Sequence, residues 1–202
     1  MAKDAAGIEG RKGGIFYGWN IVGAGIAVNA IIFAAYLHGF SVFFLPIERE
    51  FGWTRSTISG ALSLRQVESG FLSPVLGFVV DRVGPRRLII VCALVTGTGL
   101  IALSRANGVV TFYLAFLVIA MGTGGLAHSL SWPIVISRWF RRKRGLATGI
   151  VTLGPLVAAP FVILNSHLEV AIGWRSVVLG YGILCLVVIT AIGVFVVRDR
   201  PE

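Results

Sequence analysis

Apolar residues run along this chain in long stretches that are broken only at clusters of charge. A helix that crosses a bilayer needs about 20 mainly apolar residues, each rising about 1.5 Å. Cut at its charged clusters, the chain yields six such segments, and the pattern predicts spanning helices over 16–45, 57–80, 88–104, 109–132, 144–166 and 174–197. The second segment differs from the others because Arg65 and Glu68 lie inside it. The first is far longer than the roughly 7–15 apolar residues of a cleaved signal, and no small-residue cleavage site ends it. It is therefore expected to be a retained span.

Composition narrows the class further. Of 202 residues, 56% are apolar and 13% charged, and the mean hydropathy is +0.87. Soluble enzymes, nucleic-acid modules and disordered linkers are poor fits to such a chain. A net charge of +9 on a polar protein would point to nucleic acid, but here the Lys and Arg residues sit between apolar runs. There they act as topology signals. Thirteen fall at the N-terminus, the C-terminus and two connections, including Arg82, Arg86, Arg87 and the run Arg138 to Arg144; four fall on the other side, at Arg49, Arg55, Arg105 and Arg175. The positive-inside bias predicts that both termini are cytoplasmic. Five tryptophans, Trp19, Trp53, Trp132, Trp139 and Trp174, fall near the predicted span ends, as an aromatic belt requires. The basic run reads as a topology anchor or as a lipid-headgroup site.

Cys92 and Cys185 both lie in apolar runs, without metal-ligand spacing, and are expected to be small buried hydrophobes. No cofactor, metal site or catalytic residue is implied. Rhomboid-type proteolysis is disfavoured because Thr57 and Val67 stand where its G-x-S-G element would need Gly before Ser59-Gly60 and Ser69-Gly70. No channel filter is present either.

The 26 glycines fit close packing of membrane helices, which depends on small residues. Gly23, Gly25, Gly97, Gly99, Gly122, Gly124, Gly125, Gly145 and Gly149 are the expected contact points. The fifth segment is punctuated by Gly149, Gly154, Pro155 and Pro160. This is either a broken helix lining a cavity or a plain kink, with the Thr152 hydroxyl near the freed carbonyls.

Between the second and third segments lies Gly77-Phe-Val-Val-Asp81-Arg82-Val-Gly84-Pro-Arg86-Arg87. Gly77 would admit a neighbouring helix, Asp81 would pair with Arg82 or Arg86, and Gly84 would allow a turn before Pro85 opens the next helix. This stretch resembles the G-x-x-x-D-R-x-G-x-R-R signature of the major facilitator superfamily. Arg138-Trp-Phe-Arg-Arg-Lys-Arg144-Gly-Leu-Ala-Thr-Gly149 is similar to an element of its monocarboxylate-porter-like branch, which includes oxalate/formate antiporters. Phe51-Gly-Trp53 and Gly173-Trp174-Arg175 match the external corners of that branch. Drug/proton antiporters fit less well: Val118 stands where their fourth-span Arg precedes Gly122, and Ala158 and Ala159 replace glycines of their fifth-span motif.

The resemblance implies an all-α membrane protein of six transmembrane helices, one half of a major facilitator superfamily fold built from two inverted three-helix repeats. Residues 1–15 would be a cytoplasmic tail, 16–197 the bundle, and 198–202 the start of a central cytoplasmic linker. The function implied is secondary transport of a small organic solute, a carboxylate anion, across the plasma or cell inner membrane. The alternatives are a non-transporting half that needs a second six-helix half or a homodimer, and a drug exporter. Expected partners are the bilayer and the solute, not nucleic acid.

Charge at membrane depth is costly and marks function by default. Arg65 and Glu68, at i and i+3, read either as an anion contact with a proton carrier or as a closed structural pair. Asn29 and Tyr36 follow helical spacing with Phe33 and Phe40 and are further solute-binding candidates. His128 is read as a packing histidine or a proton relay. Asn165, His167 and Glu169 are expected to be solvated at a span end.

Overall fold

The computed structural model describes residues 17–126, 131–140 and 143–197, apart from the side chain of Ser69. Every regular element within them is helical. In chain order these are α1 (Tyr17–Ile32), a π turn (Phe33–Leu37), α2 (Phe40–Phe51), α3 (Arg55–Val83), α4 (Pro85–Ser104), α5 (Val109–Leu126), α6 (Ser131–Trp139), α7 (Arg144–Val151), α8 (Gly154–Ile172) and α9 (Trp174–Leu184), then two further π turns (Cys185–Ile189 and Ile192–Val196). Five stretches are long and apolar enough to cross a membrane: Tyr17–Phe51, Pro85–Ser104, Val109–Trp139, Arg144–Ile172 and Trp174–Val196. At 29 residues, α3 is long enough as well, but Arg65, Glu68 and its many small polar residues keep it below the apolarity of the other five.

Several segments outrun the expected boundaries. The first continues to Phe51, because Glu48 and Glu50 find partners at its end rather than stopping the helix. The stretch beginning at Val109 reaches Trp139, so Trp132 is not at an interface. It is fully buried, with its indole N–H donating to the Leu126 carbonyl at 3.0 Å.

Local chemistry sets the helix ends. The Thr54 hydroxyl accepts from the Thr57 N–H at 3.3 Å and caps α3. Gly84 and Gly173 have nearly identical backbones, at φ +87° and +80°, and each joins one helix directly to the next. A side chain would be strained at either position. Pro85 then begins α4, where its missing N–H costs nothing.

Packing centres on α4, which lies against both α5 and α9. A Cβ placed at Gly99 would lie 2.8 Å from Ile119, and one at Gly182 would lie 2.8 Å from Ile101. On the other side of the bundle, α1 packs on α7 and α8, and Gly25 leaves room for Trp132 and Val151. By contrast, Gly23, Gly77, Gly145 and Gly149 face no heavy atom within 4 Å, so the helix approach expected at Gly77 does not occur among the described residues. Cys92 and Cys185 are buried and unbridged.

Candidate functional site

The π turn in the first span arises where the His38 N–H reaches the Phe33 carbonyl at 2.8 Å, five residues back instead of four. The extra residue in that turn breaks the even 3–4 residue spacing expected from Asn29 to Phe40. Tyr36, within the turn, is 2% exposed; its ring lies 5.4 Å from that of Phe116 and beneath the guanidinium of Arg65, whose Cζ is 5.2 Å from the ring centroid. Phe40 packs against the same Phe116 with ring centroids 4.8 Å apart.

Arg65 and Glu68 lie near the middle of α3, and among the described residues they do not pair. Both carboxylate oxygens of Glu68 are shielded from solvent and accept no hydrogen bond. The Tyr36 hydroxyl is likewise buried without a partner. Arg65 prefers the aromatic face, because its flat guanidinium is held there by cation–π attraction. The expected mutual neutralisation on one helix face is therefore absent. Three polar groups with unused bonding capacity stand at one level of the bundle.

Asn29 sits elsewhere. It is fully buried against Gly154 of α8, its amide donating to the Gly25 carbonyl at 2.9 Å while its side-chain oxygen is unpartnered. His128 lies outside the described residues. The fifth segment is interrupted between Val151 and Gly154, where the Thr152 hydroxyl bonds back to the Gly149 carbonyl at 2.6 Å. Pro155 opens α8, and the helix runs on through Pro160.

At the signature stretch, Asp81 is exposed and pairs with neither Arg82 nor Arg86. Arg82 lies over the Phe78 ring at 4.2 Å, and Arg86 donates to the carbonyls of Gly193 at 3.2 Å and Val194 at 2.6 Å. Arg86 thereby holds the end of the last span, whose π turn leaves those carbonyls free. Arg87 is exposed.

Two groups that matter were not singled out by sequence reasoning. Glu50 accepts from the Trp174 indole at 2.6 Å and from Arg175 at 2.9 Å, tying the Phe51 corner to the Trp174 corner. Asn165 is fully buried, not solvated: its amide donates to the Ala34 carbonyl at 2.9 Å and its oxygen accepts from Tyr181 at 2.8 Å. A cavity of about 750 Å³ lies between α1, α8 and α9, lined by Ala27, Ala30, Phe161, Leu164, Tyr181 and their neighbours. It is almost wholly apolar and includes none of Asn29, Tyr36, Arg65 or Glu68.

Residues 18–202 match the family model described as Major Facilitator Superfamily. Over 173 residues the chain is 32% identical to monocarboxylate transporter 1 of Bos taurus, covering 84% of this chain and 34% of that protein. It is 32% identical to monocarboxylate transporter 2 of Homo sapiens over 84% of this chain and 35% of that protein. Against monocarboxylate transporter 7 of Homo sapiens the identity is 28%, over 84% of this chain and 32% of the other. The chain spans about a third of the length of these relatives.

Proposed function

Since this chain belongs to the Major Facilitator Superfamily, we propose that it is the six-helix N-terminal half of a secondary transporter that moves a small carboxylate anion by alternating access. In this reading α3 is the second of six spans, alongside the five apolar stretches, the bundle is two inverted three-helix repeats, and both termini are cytoplasmic. The observation that carries the cargo is Arg65. It is a cation near mid-span that meets no carboxylate among the described residues and is steadied by the Tyr36 face. A guanidinium so placed is a ready fork for a solute carboxylate. The names of the relatives point to the same class of solute.

A single half supplies one wall of a central site. On α3, Val67, Phe71, Val75 and Phe78 form one exposed apolar face, from 54% to 79% exposed, which supports a second half or a second copy completing the transporter. The signature residues Gly77, Asp81, Arg82, Gly84, Arg86 and Arg87 are then the conformational switch region.

Pyruvate binding by the chain in lipid nanodiscs tests the site. Arg65→Lys is expected to weaken it at least about tenfold, since an ammonium does not reproduce a two-pronged contact. The double change Arg65→Leu with Glu68→Leu removes both charges together and should leave a folded, non-binding protein. Pyruvate binding of native strength by that double variant, or uptake by a demonstrably monomeric preparation, would overturn the reading.

A further inference from the structure

Asn29 meets the break between α7 and α8 where two helices touch. A Cβ on Gly154 would collide with that of Asn29, and it would stand 3.4 Å from both the Asn29 Cγ and the Ile26 carbonyl oxygen. One turn earlier on each helix, Gly25 packs on Val151, with 3.1 Å between a Cβ there and the valine methyls. Asn29 is 0% exposed and Val151 1%, so the contact is closed to bulk solvent.

Hydrogen bonding at this contact is lopsided. The Asn29 amide donates to the Gly25 carbonyl at 2.9 Å, which fixes its orientation, since turning it over would set oxygen against oxygen. Its Oδ1 is buried without a donor. The Val151 carbonyl is denied its helical donor, because residue 155, four positions on, is proline. The next carbonyl loses its own as well: the Leu156 N–H turns to Leu153 at 2.9 Å instead of reaching back to Thr152. Acceptors therefore gather at the C-terminal end of α7, the negative end of its dipole, within a membrane-spanning stretch. Buried oxygens without donors are costly. A bound positive charge relieves them together.

We propose that the α7–α8 break binds a monovalent alkali cation, with Asn29 Oδ1 as its side-chain ligand and the Val151 and Thr152 carbonyls as its main-chain ligands. Interrupted membrane helices offer carbonyls to ions in this way. The donor set decides the class of ion. These oxygens are all uncharged amide oxygens, which suit a singly charged hard cation, whereas a divalent ion draws on carboxylates. Among the described residues, no group of three or more His, Cys, Asp or Glu could hold a metal ion. Charge nearby is sparse. The helix α1 carries none, and Arg144 lies about 10 Å down the α7 axis from Val151, its guanidinium bonded to the Phe140 carbonyl at 2.6 Å. Thr152 and Leu153 are exposed, which leaves the ion an approach to the carbonyls.

Sodium binding by the chain in lipid nanodiscs tests the site. No pyruvate is present, so the outcome is independent of the cargo assigned to Arg65. Radiolabelled Na+ is expected to bind as a single ion per chain and to be displaced by unlabelled Na+ but not by choline at equal ionic strength. Asn29→Leu removes the side-chain ligand and should weaken binding at least about tenfold. Misfolding would mimic that loss, so Pro155→Ala is the decisive companion. It gives the Val151 carbonyl an N–H, leaves Asn29 untouched and relieves a helix of its proline, so its melting temperature in choline should equal or exceed that of the native chain. Its Na+ affinity should nevertheless fall at least about tenfold. Asn29→Asp keeps an oxygen at the site, adds a negative charge and should tighten binding. No saturable Na+ binding by the native chain would overturn the proposal and leave buried water as the partner of these oxygens. Binding of native strength in both Asn29→Leu and Pro155→Ala would overturn it equally, by placing the ion elsewhere.

Discussion

Asn165 occupies the place that a backbone N–H would hold in an unbroken first helix. In an α-helix the His38 N–H would bond to the Ala34 carbonyl, but the π turn sends it to Phe33. The freed carbonyl takes the Asn165 amide, and Tyr181 fixes that amide from the other side. Gly39 completes the arrangement, since a Cβ there would collide with the same Ala34 carbonyl. Replacing Asn165 with Leu strands a buried carbonyl and a hydroxyl and should cost about 1–3 kcal/mol, while Tyr181→Phe removes only one bond and should cost about 0.5–1.5 kcal/mol. Thermal unfolding of the purified variants in detergent reads the order. Equal stability of Asn165→Leu and the native chain would mean that the bond carries no load. Sequence reading missed Asn165 because it sat beside His167 and Glu169 at a boundary set six residues too early. Once α8 is seen to run to Ile172, Asn165 is an interior residue.

Among the elements, the corner that joins α2 to α9 bears the densest polar network described. Arg175 donates to Glu50 and also to the carbonyls of Ser104 and Ala106 at 2.8 Å each, where α4 has ended and its last acceptors lack helical partners. It therefore ties together the ends of three helices. Arg175→Ala should destabilise the chain by roughly 1.5–3 kcal/mol, the worth of bonds to a charged donor. Arg175→Lys should recover part of this, because an ammonium reaches fewer of the acceptors at once. A melting temperature lowered equally by both would show that the fork geometry is decisive; no change in either would dismiss the corner as a stabilising element. At this scale the sequence was informative about what charge clusters delimit, and less so about pairing across distance. Phe51 and Trp174 were legible as corner residues, and their rings do meet at 6.4 Å. Glu50 was not, because nothing local marks a carboxylate whose partners lie more than 120 positions away. The π turn was equally invisible, since Phe33-Ala-Ala-Tyr-Leu37 is an ordinary helical sequence and only the Asn165 amide across the bundle rewards the irregular bonding.

For the whole molecule, the proposed sidedness rests on charge. On the orientation proposed above, the asymmetry of Lys and Arg would put the Arg87 end of α4 in the cytoplasm and the Arg105 end outside. Both positions are exposed and close the same helix. Single cysteines there, in a chain whose Cys92 and Cys185 are replaced by Ala, should answer differently to an impermeant thiol reagent on intact cells: Arg105→Cys labels and Arg87→Cys does not. The reverse pattern inverts the topology. The contrast between α4 and α3 has the same scale. Leu88, Ile89, Ala93 and Leu100 of α4 are buried within the bundle, while Phe71 of α3 is 79% exposed.

The π turn at Phe33–Leu37 also bears on descent. A π turn is an α-helix with one residue too many, and each residue of a helix advances it by about 100°. A relative without the insertion would align with a one-position gap in this segment, and past that gap its side chains would keep their compass bearings. Deleting a single alanine from Phe33-Ala-Ala-Tyr-Leu37 would thus restore an even spiral on paper, yet it would swing Tyr36 about 100° relative to the rest of the first span. Numbering this span against other proteins therefore takes two frames, one ending at Ile32 and one beginning at Phe40.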